Sequence, residues 1–495
     1  MSEPVSFPAR LRALAATRPA DPSYTLVRQD GSRDSVTFRQ LQEWSTAVAH
    51  ALAGRGVTAS STVVVALGNS LEHFATTWGA WRLGATVLPL SPRLPAPERD
   101  GLLELAEPSV VVSTWLDVAG LTGDDVTALR GRPTPDLPDV TPHPGKAVGS
   151  GGSTGRPKII VDPGSLAKVP GASLGNPGDV VRFHDSSVSL VPGPVFHNMP
   201  FTWSAYGAFE GQHVVVLERF DAGLLVDAVE RDRVEFMTLV PTMMRRVAEL
   251  PGVRTRDLSS LLGVLHSAAP CPEPLKRTWI DLVGADVLWE AFGSTENVGI
   301  VIVRGDEWLE HPGTVGRPLR GTSLKVLDDE GREVPAGVVG EIFMRLEGAG
   351  DTYRYVGAAP ARTSADGFTS VGDLGYVDDD GYLFPADRRM DLVITGGSNV
   401  YPAEVEAVLL EHPAVADVAV IGLPDEEWGR RVHAVVQLRP GHDVELDELR
   451  VLCLGSLAPY KVPKAFELVD ALPRDEAGKL RRSALVDARL TLAPS

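Results

Sequence analysis

Cysteine is almost missing from this chain. Two thiols in 495 residues, Cys271 and Cys453, cannot build a disulfide framework, and a reducing compartment is expected. Long apolar runs are missing too, since none reaches the roughly 18 residues that a membrane-spanning helix requires. The N-terminus, MSEPVSFPARLRALAATRP, interrupts its apolar positions with Arg10, Arg12 and Arg18, which predicts an amphipathic helix rather than a signal-peptide core. Basic charge is in deficit, with 47 Lys and Arg against 65 Asp and Glu, a net charge of −18. That balance argues against nucleic acid or an anionic membrane as the main partner, so an anionic ligand would need locally concentrated donors. No internal repeat is evident. A cytoplasmic location is expected.

What is present points to an α/β chain of more than one folding unit. STVVVALGN (61–69) reads as a buried strand, SLEHFATTWGAWRLG (70–84) as a helix and ATVLPLS (85–91) as the next strand. The unit recurs at HVVVLER (213–219), a helix over 222–231 and FMTLVP (236–241), an order that predicts parallel sheets covered on both faces. Pro, Gly and Asp crowd residues 135–180, which predicts a surface-running segment. After about 320, short strands joined by Asp-Gly-type turns predict a small β-rich subdomain. From Pro402 the order helix, strand, strand, helix, strand predicts a compact second domain. The expected division is 1–388, a large N-terminal domain of parallel-type sheets with its β-rich subdomain, and 389–495, a small mobile C-terminal α/β domain.

Four segments carry chemistry. GSGGSTGRPKII (149–160) combines glycines that let backbone N–H groups converge on an anion with hydroxyls and Lys158; it is not a Walker A loop, because Lys158 follows Pro157. A flexible linker is the bland alternative. FGSTENVG (292–299) sets Thr295 to donate to phosphate and Glu296 to take Mg²⁺, against the alternative of a helix-capping segment. SVGDLGYVDDDGYLF (370–384) offers Asp373 as an acceptor for ribose hydroxyls, or as a turn carboxylate, with a hairpin at DDDG. PRDEAGKLRR (473–482) holds Lys479, which alone reads as a solvated charge.

In this order and at these separations, SGGSTGRPK, VPTM (240–243), HSAAP (266–270), FGSTE, TSVGD, DRRMDLVITGGSNVYPAEVE and AGKLRR resemble the adenylate-forming superfamily of acyl- and aryl-CoA synthetases, amino-acid adenylation domains and luciferases. The likeness runs from TFRQL (37–41) to KLRR (479–482), and its wording is most similar to acyl-, aryl- and bile-acid-type CoA ligases. It implies ATP and Mg²⁺ as cofactors, and an acyl-adenylate whose AMP a thiol displaces, with CoA as co-substrate. Carried over, Ser150, Gly151, Gly152, Ser153, Thr154, Gly155 and Lys158 hold the phosphates. Ala268, Ala269 and Pro270 line the adenine site, Phe292 stacks on the base, and Gly293 and Ser294 belong to the nucleotide site. Thr295 contacts the α-phosphate, Glu296 binds the metal, Asp373 and Arg388 bind ribose, and Lys479 bridges the carboxylate and α-phosphate. His197, Phe201, Trp203 and Ser267 are implied on the acid side, and Gly396 and Gly397 face the incoming thiol after a domain rotation. The family pattern is broken at three places: Phe292 replaces a usual tyrosine, Asp387 a usual glycine, and Met390 a hinge Asp or Lys.

His197 stands where amino-acid-activating relatives commonly place an aspartate, which argues against a standard α-amino acid. It reads as a pocket gate or as a half-buried histidine with satisfied bonds. Phe196, Phe201 and Trp203 favour an apolar or aromatic acid unless they are core. Lys461, Lys464 and Arg430–Arg431 are candidate contacts for CoA phosphates, or solvated charges. The expected function is an acid–CoA ligase. The alternative is an adenylating enzyme with another acceptor: a separate carrier protein, an amine, or activated nitrite delivered to an aryl amine (a diazotase). A nucleotide-binding pseudoenzyme is a third class. A homodimer is compatible with this reading.

Overall fold

The computed structural model describes residues 3–151, 157–171, 178–388, 391–395, 398–425, 428–474, 480 and 482–492. The chain is α/β, with a large N-terminal domain followed by a small C-terminal one. Two sheets dominate the first. In the nine-stranded sheet, strands Leu288–Gly293, Gly263–His266, Phe236–Leu239, Val188–Val191, His213–Leu217 and Pro22–Val27 run parallel, and antiparallel strands close both edges. In the six-stranded sheet, Thr62–Ala66, Thr86–Pro89, Val110–Ser113 and Lys146–Gly151 are parallel.

Helices fill the space between the sheets. Helix Phe38–Ala53 opens on a reciprocal cap, Thr37 taking the Gln40 N–H while the Gln40 side chain takes the Thr37 N–H. Helix Leu71–Arg82 opens on Ser70. Their apolar faces bring Trp44, Trp78 and Trp81 against Val63 and Val65 of one sheet and Tyr24 and Val214 of the other, in one continuous core.

Strands Thr322–Leu327, Gly340–Leu346, Thr369–Val377 and Leu383–Arg388 form the expected β-rich subdomain, and the hairpin at Asp378–Gly381 is present. The C-terminal domain wraps helices Pro402–Leu410, Leu446–Ser456 and Arg482–Leu492 around a sheet of Val415–Asp425, Gly429–Leu438 and Ala465–Val469, over its own core. Two contacts seat it on helix Pro241–Ala248 and the residue after it. The Arg245 guanidinium donates to the Ala416 carbonyl, and Arg439 pairs with Glu249 at 2.6 Å.

Two features differ from expectation. Residues 135–180 do not simply run over the surface: Lys146–Gly151 and Pro157–Asp162 form an antiparallel hairpin that buries Ala147, Val148, Ile159, Ile160 and Val161. The β-branched pairs fit a half-buried pleat even though the surrounding Pro and Gly look like loop. The helix Arg482–Leu492 was not foreseen; Leu485 and Val486 pack it onto Ala419 and Ile421.

Candidate active site

The hairpin answers the question posed by the glycine-rich stretch. Strand Lys146–Gly151 enters it and strand Pro157–Asp162 leaves it, so the loop is held at both ends by a sheet and is not a free linker. Gly149 has a packing reason of its own, since a Cβ there would come within 2.8 Å of Leu90 Cδ2. Ser150 and Gly151 lie at the end of the first strand by their backbone; Gly152, Ser153, Thr154 and Gly155 lie outside the described residues.

Lys158 emerges from the second strand and meets Glu296, 138 positions away in sequence, with Nζ 3.5 Å from Oε1. FGSTE does not open a helix. Ser294–Asn297 is a turn closed by the Asn297 N–H on the Ser294 carbonyl, with Asn297 at φ 53°, so the capping alternative is set aside. Glu296 also accepts from the Tyr355 hydroxyl at 2.5 Å, and the Lys158 ammonium sits 3.9 Å from the centre of the Tyr355 ring. Burial works against ionising Glu296, but the Tyr355 hydrogen bond and the Lys158 charge help keep its pKa below the usual carboxylate value. Burial, with the Glu296 hydrogen bond, pushes the Tyr355 phenol up, so it stays a donor. Tyr355 was not singled out in the sequence, where a lone tyrosine on a three-residue strand carries no motif. Pairing of Arg354–Val356 with the hairpin puts it there.

A single ionised carboxylate beside an ammonium and hydroxyl-bearing residues suits Mg²⁺, which is commonly held by one or two carboxylates plus substrate phosphates and water. No three His, Cys, Asp or Glu side chains gather as a metal cage among the described residues.

The other expected residues lie on several different elements. Ser267, Ala268, Ala269 and Pro270 follow strand Gly263–His266, with Ala268 at φ 76° in the left-handed region, a conformation that costs a non-glycine residue about 1 kcal/mol. Below them, His266 is fully buried and its pKa falls to about 4 because burial disfavours the charged form. It lies 3.9 Å from Glu290, which pairs with the buried Lys276. Gly293 ends strand Leu288–Gly293, and Ser294 and Thr295 sit half-buried in the turn. Phe292 packs against Val298, Val301 and Met344 toward the β-rich subdomain. The positions of Asp373 and Arg388 are directly paired across antiparallel strands Thr369–Val377 and Leu383–Arg388. Asp387 accepts from the Ala403 N–H at 2.8 Å, in the first turn of helix Pro402–Leu410. The unusual residue therefore ties the last strand of the large domain to the first helix of the small one. Met390, Gly396, Gly397 and Lys479 lie outside the described residues.

Of the residues expected on the acid side, half-buried His197 is the N-cap of helix Asn198–Glu210. The two aromatics expected there part company. Phe201 points into the main core between Trp81 and His73, whereas Trp203 packs edge-on against Phe183, at 4.7 Å, and tilted against Phe236, at 5.0 Å. With Leu265, Trp289 and Ile302 these form a separate aromatic cluster on the helix-facing side of the large sheet.

Comparison with known proteins agrees over nearly the whole length. Residues 11–145 and 149–354 match the AMP-binding enzyme family, and 404–479 match the AMP-binding enzyme C-terminal domain. The chain belongs to this family, the adenylate-forming enzymes, and is an AMP-forming ligase by class. It is 33% identical over 473 residues to a feruloyl-CoA synthase of an Amycolatopsis species, covering 93% of this chain and 94% of the relative. It is 30% identical over 484 residues to a fatty acid–acyl-carrier-protein ligase of Streptomyces coeruleorubidus, covering 92% and 91%. Among solved structures it is similar to o-succinylbenzoate CoA synthetase from Bacillus subtilis in complex with its acyl-adenylate intermediate, with TM-score 0.81, 26% identity and 98% of each chain covered.

Proposed function

We propose that the protein activates a carboxylic acid with ATP and passes the acyl group to the thiol of CoA. The observation that carries this reading is the meeting of Lys158 and Glu296 at the mouth of the glycine-rich hairpin, in a chain that matches the family along both domains. ATP and Mg²⁺ are the cofactors, and the metal, when bound, neutralises phosphate charge. A carboxylate oxygen attacks the α-phosphorus, the bond to pyrophosphate breaks, and the thiol sulfur then attacks the acyl carbonyl as AMP leaves. Lys158 and the hairpin backbone hold the leaving phosphates, Thr295 and Lys479 donate to the α-phosphate as charge develops, and Asp373 and Arg388 fix the ribose. One preorganised donor in such a place contributes roughly 10²–10³ in rate.

CoA as acceptor is supported by a surface of the small domain. Trp428 is 37% exposed, and the Lys464 ammonium lies 4.7 Å from its ring centre, beside Arg430 and Arg431. An indole next to cations suits an adenine ring bearing phosphates. Lys461 is instead engaged by Glu404 at 2.6 Å and is a weaker candidate.

The acid is compact and apolar or aromatic. Leu265 and Trp289 pair across strands Gly263–His266 and Leu288–Gly293, two residues before Ser267 and Ala291, a depth of about 6.6 Å. Trp203 and Phe236 close that floor. A carrier-protein acceptor is the second reading, favoured by the relative from Streptomyces coeruleorubidus. Mass spectrometry of enzyme, Mg·ATP and a panel of alkyl, aryl and steroid acids, with and without CoA, decides between them. An acyl-CoA with one AMP per thioester is expected. AMP without thioester, or turnover only with nitrite and an aryl amine, overturns the CoA assignment.

A further inference from the structure

Lys158 and Glu296 neutralise each other at 3.5 Å in the free protein. On the proposed reading they must part when ATP arrives, the lysine turning to phosphate and the carboxylate to the metal. A carboxylate released from its lysine would be free to rotate unless another group held it. Tyr355 is built to do so. Its hydroxyl donates to Glu296 Oε1 at 2.5 Å, a bond that does not involve Lys158. The ring of the same residue carries the ammonium on its face at 3.9 Å, a cation–π contact that gives Lys158 a second resting place.

The tyrosine is itself fixed. Its strand, Arg354–Val356, pairs antiparallel with the outgoing strand of the phosphate hairpin, Tyr355 opposite Ile160. Its ring leans on Tyr353 at 4.8 Å, and the Tyr353 hydroxyl accepts the Ala361 N–H at 3.0 Å. The hairpin strand thus fixes the tyrosine, and the tyrosine hydroxyl holds the carboxylate. We infer that Tyr355 is a positioning residue, one that keeps Glu296 aimed at the metal while Lys158 leaves for phosphate; the inference rests on the nucleotide reading of this site.

The test is calorimetric binding of ATP to the full chain in Mg²⁺ and in EDTA, without any acid, so that no turnover enters. Tyr355→Phe removes only the hydroxyl and Tyr355→Leu also removes the ring. Wild type is expected to bind more tightly with Mg²⁺. In Tyr355→Phe that metal-dependent gain should shrink about tenfold, as expected for loss of a hydrogen bond to a charged group, with affinity in EDTA unchanged. In Tyr355→Leu affinity in EDTA should also fall severalfold. An unchanged gain in Tyr355→Phe overturns the positioning role while leaving the site reading intact. Wild type that binds ATP in neither condition overturns both. Equal loss in Mg²⁺ and EDTA for Tyr355→Phe, together with a lowered melting temperature, shows a merely structural tyrosine and overturns the inference.

Discussion

At the scale of single residues, burial decides chemistry before function does. His266 and His73 have side chains that are 0% and 1% exposed, and burial lowers their pKa values from 6.5 to about 4 and about 3. Both are neutral at pH 7. The unfolded chain takes up these protons below about pH 6.5 and the folded chain does not, so folding loses stability as pH falls toward the folded values. Chemical denaturation of the N-terminal domain at pH 7, 6 and 5 should show a slope of up to about 1.4 kcal/mol per pH unit for each histidine at the lower end. His73→Leu should flatten it. A stability that stays level from pH 7 to 5 in wild type contradicts the neutral assignment. Residue identity alone suggested Lys158 and Glu296 but not that they touch, because 138 positions separate them and only the two sheets bring them together. Tyr355 was invisible for the same reason.

At the scale of elements, periodicity explains both what the sequence revealed and what it hid. The alternating strands and helices of 61–91 and 213–241 stand where their apolar patterns put them. Aromatic side chains on helix Asn198–Glu210 were harder to place. Phe201 and Trp203 are two residues apart, which at 100° per residue sends them to opposite faces. One reaches the main core, the other the separate cluster around Phe183 and Phe236. Nothing in PFTW distinguishes them without knowing which face meets which sheet. If Trp203 sets the depth, Trp203→Ala should admit longer or two-ring acids while weakening compact ones, read as a shift of kcat/KM across the acid panel. The large-to-small change should also cost roughly 3–5 kcal/mol of stability, so the comparison belongs at low temperature. An unchanged acid profile in a folded variant would remove Trp203 from specificity.

At the scale of the whole molecule, the proposed reaction draws on both domains. The parts of the proposed site come from far apart: the hairpin at 146–162, the turn at 294–297, the paired strand positions 373 and 388, and, on the family likeness, Lys479 in the second domain. A large N-terminal domain followed by a small C-terminal α/β one was legible, since the order of apolar patterns shifts after ADRRMD (386–391). The contacts across the domains were not. Arg245 on Ala416, Arg439 on Glu249 and Asp387 on Ala403 join residues that belong to no common motif. On the proposed reading, a domain that brings a lysine to the α-phosphate and later withdraws it is served by contacts such as the exposed Arg439–Glu249 pair, worth at most about 1 kcal/mol. Acid activation by both domains together is tested by acid-dependent exchange of labelled pyrophosphate into ATP, wild type beside Lys479→Ala. The account predicts exchange that requires Mg²⁺ and an acid and falls about 10²–10³-fold in the variant. Exchange that proceeds equally well in Lys479→Ala, or that no acid elicits from wild type, would contradict it.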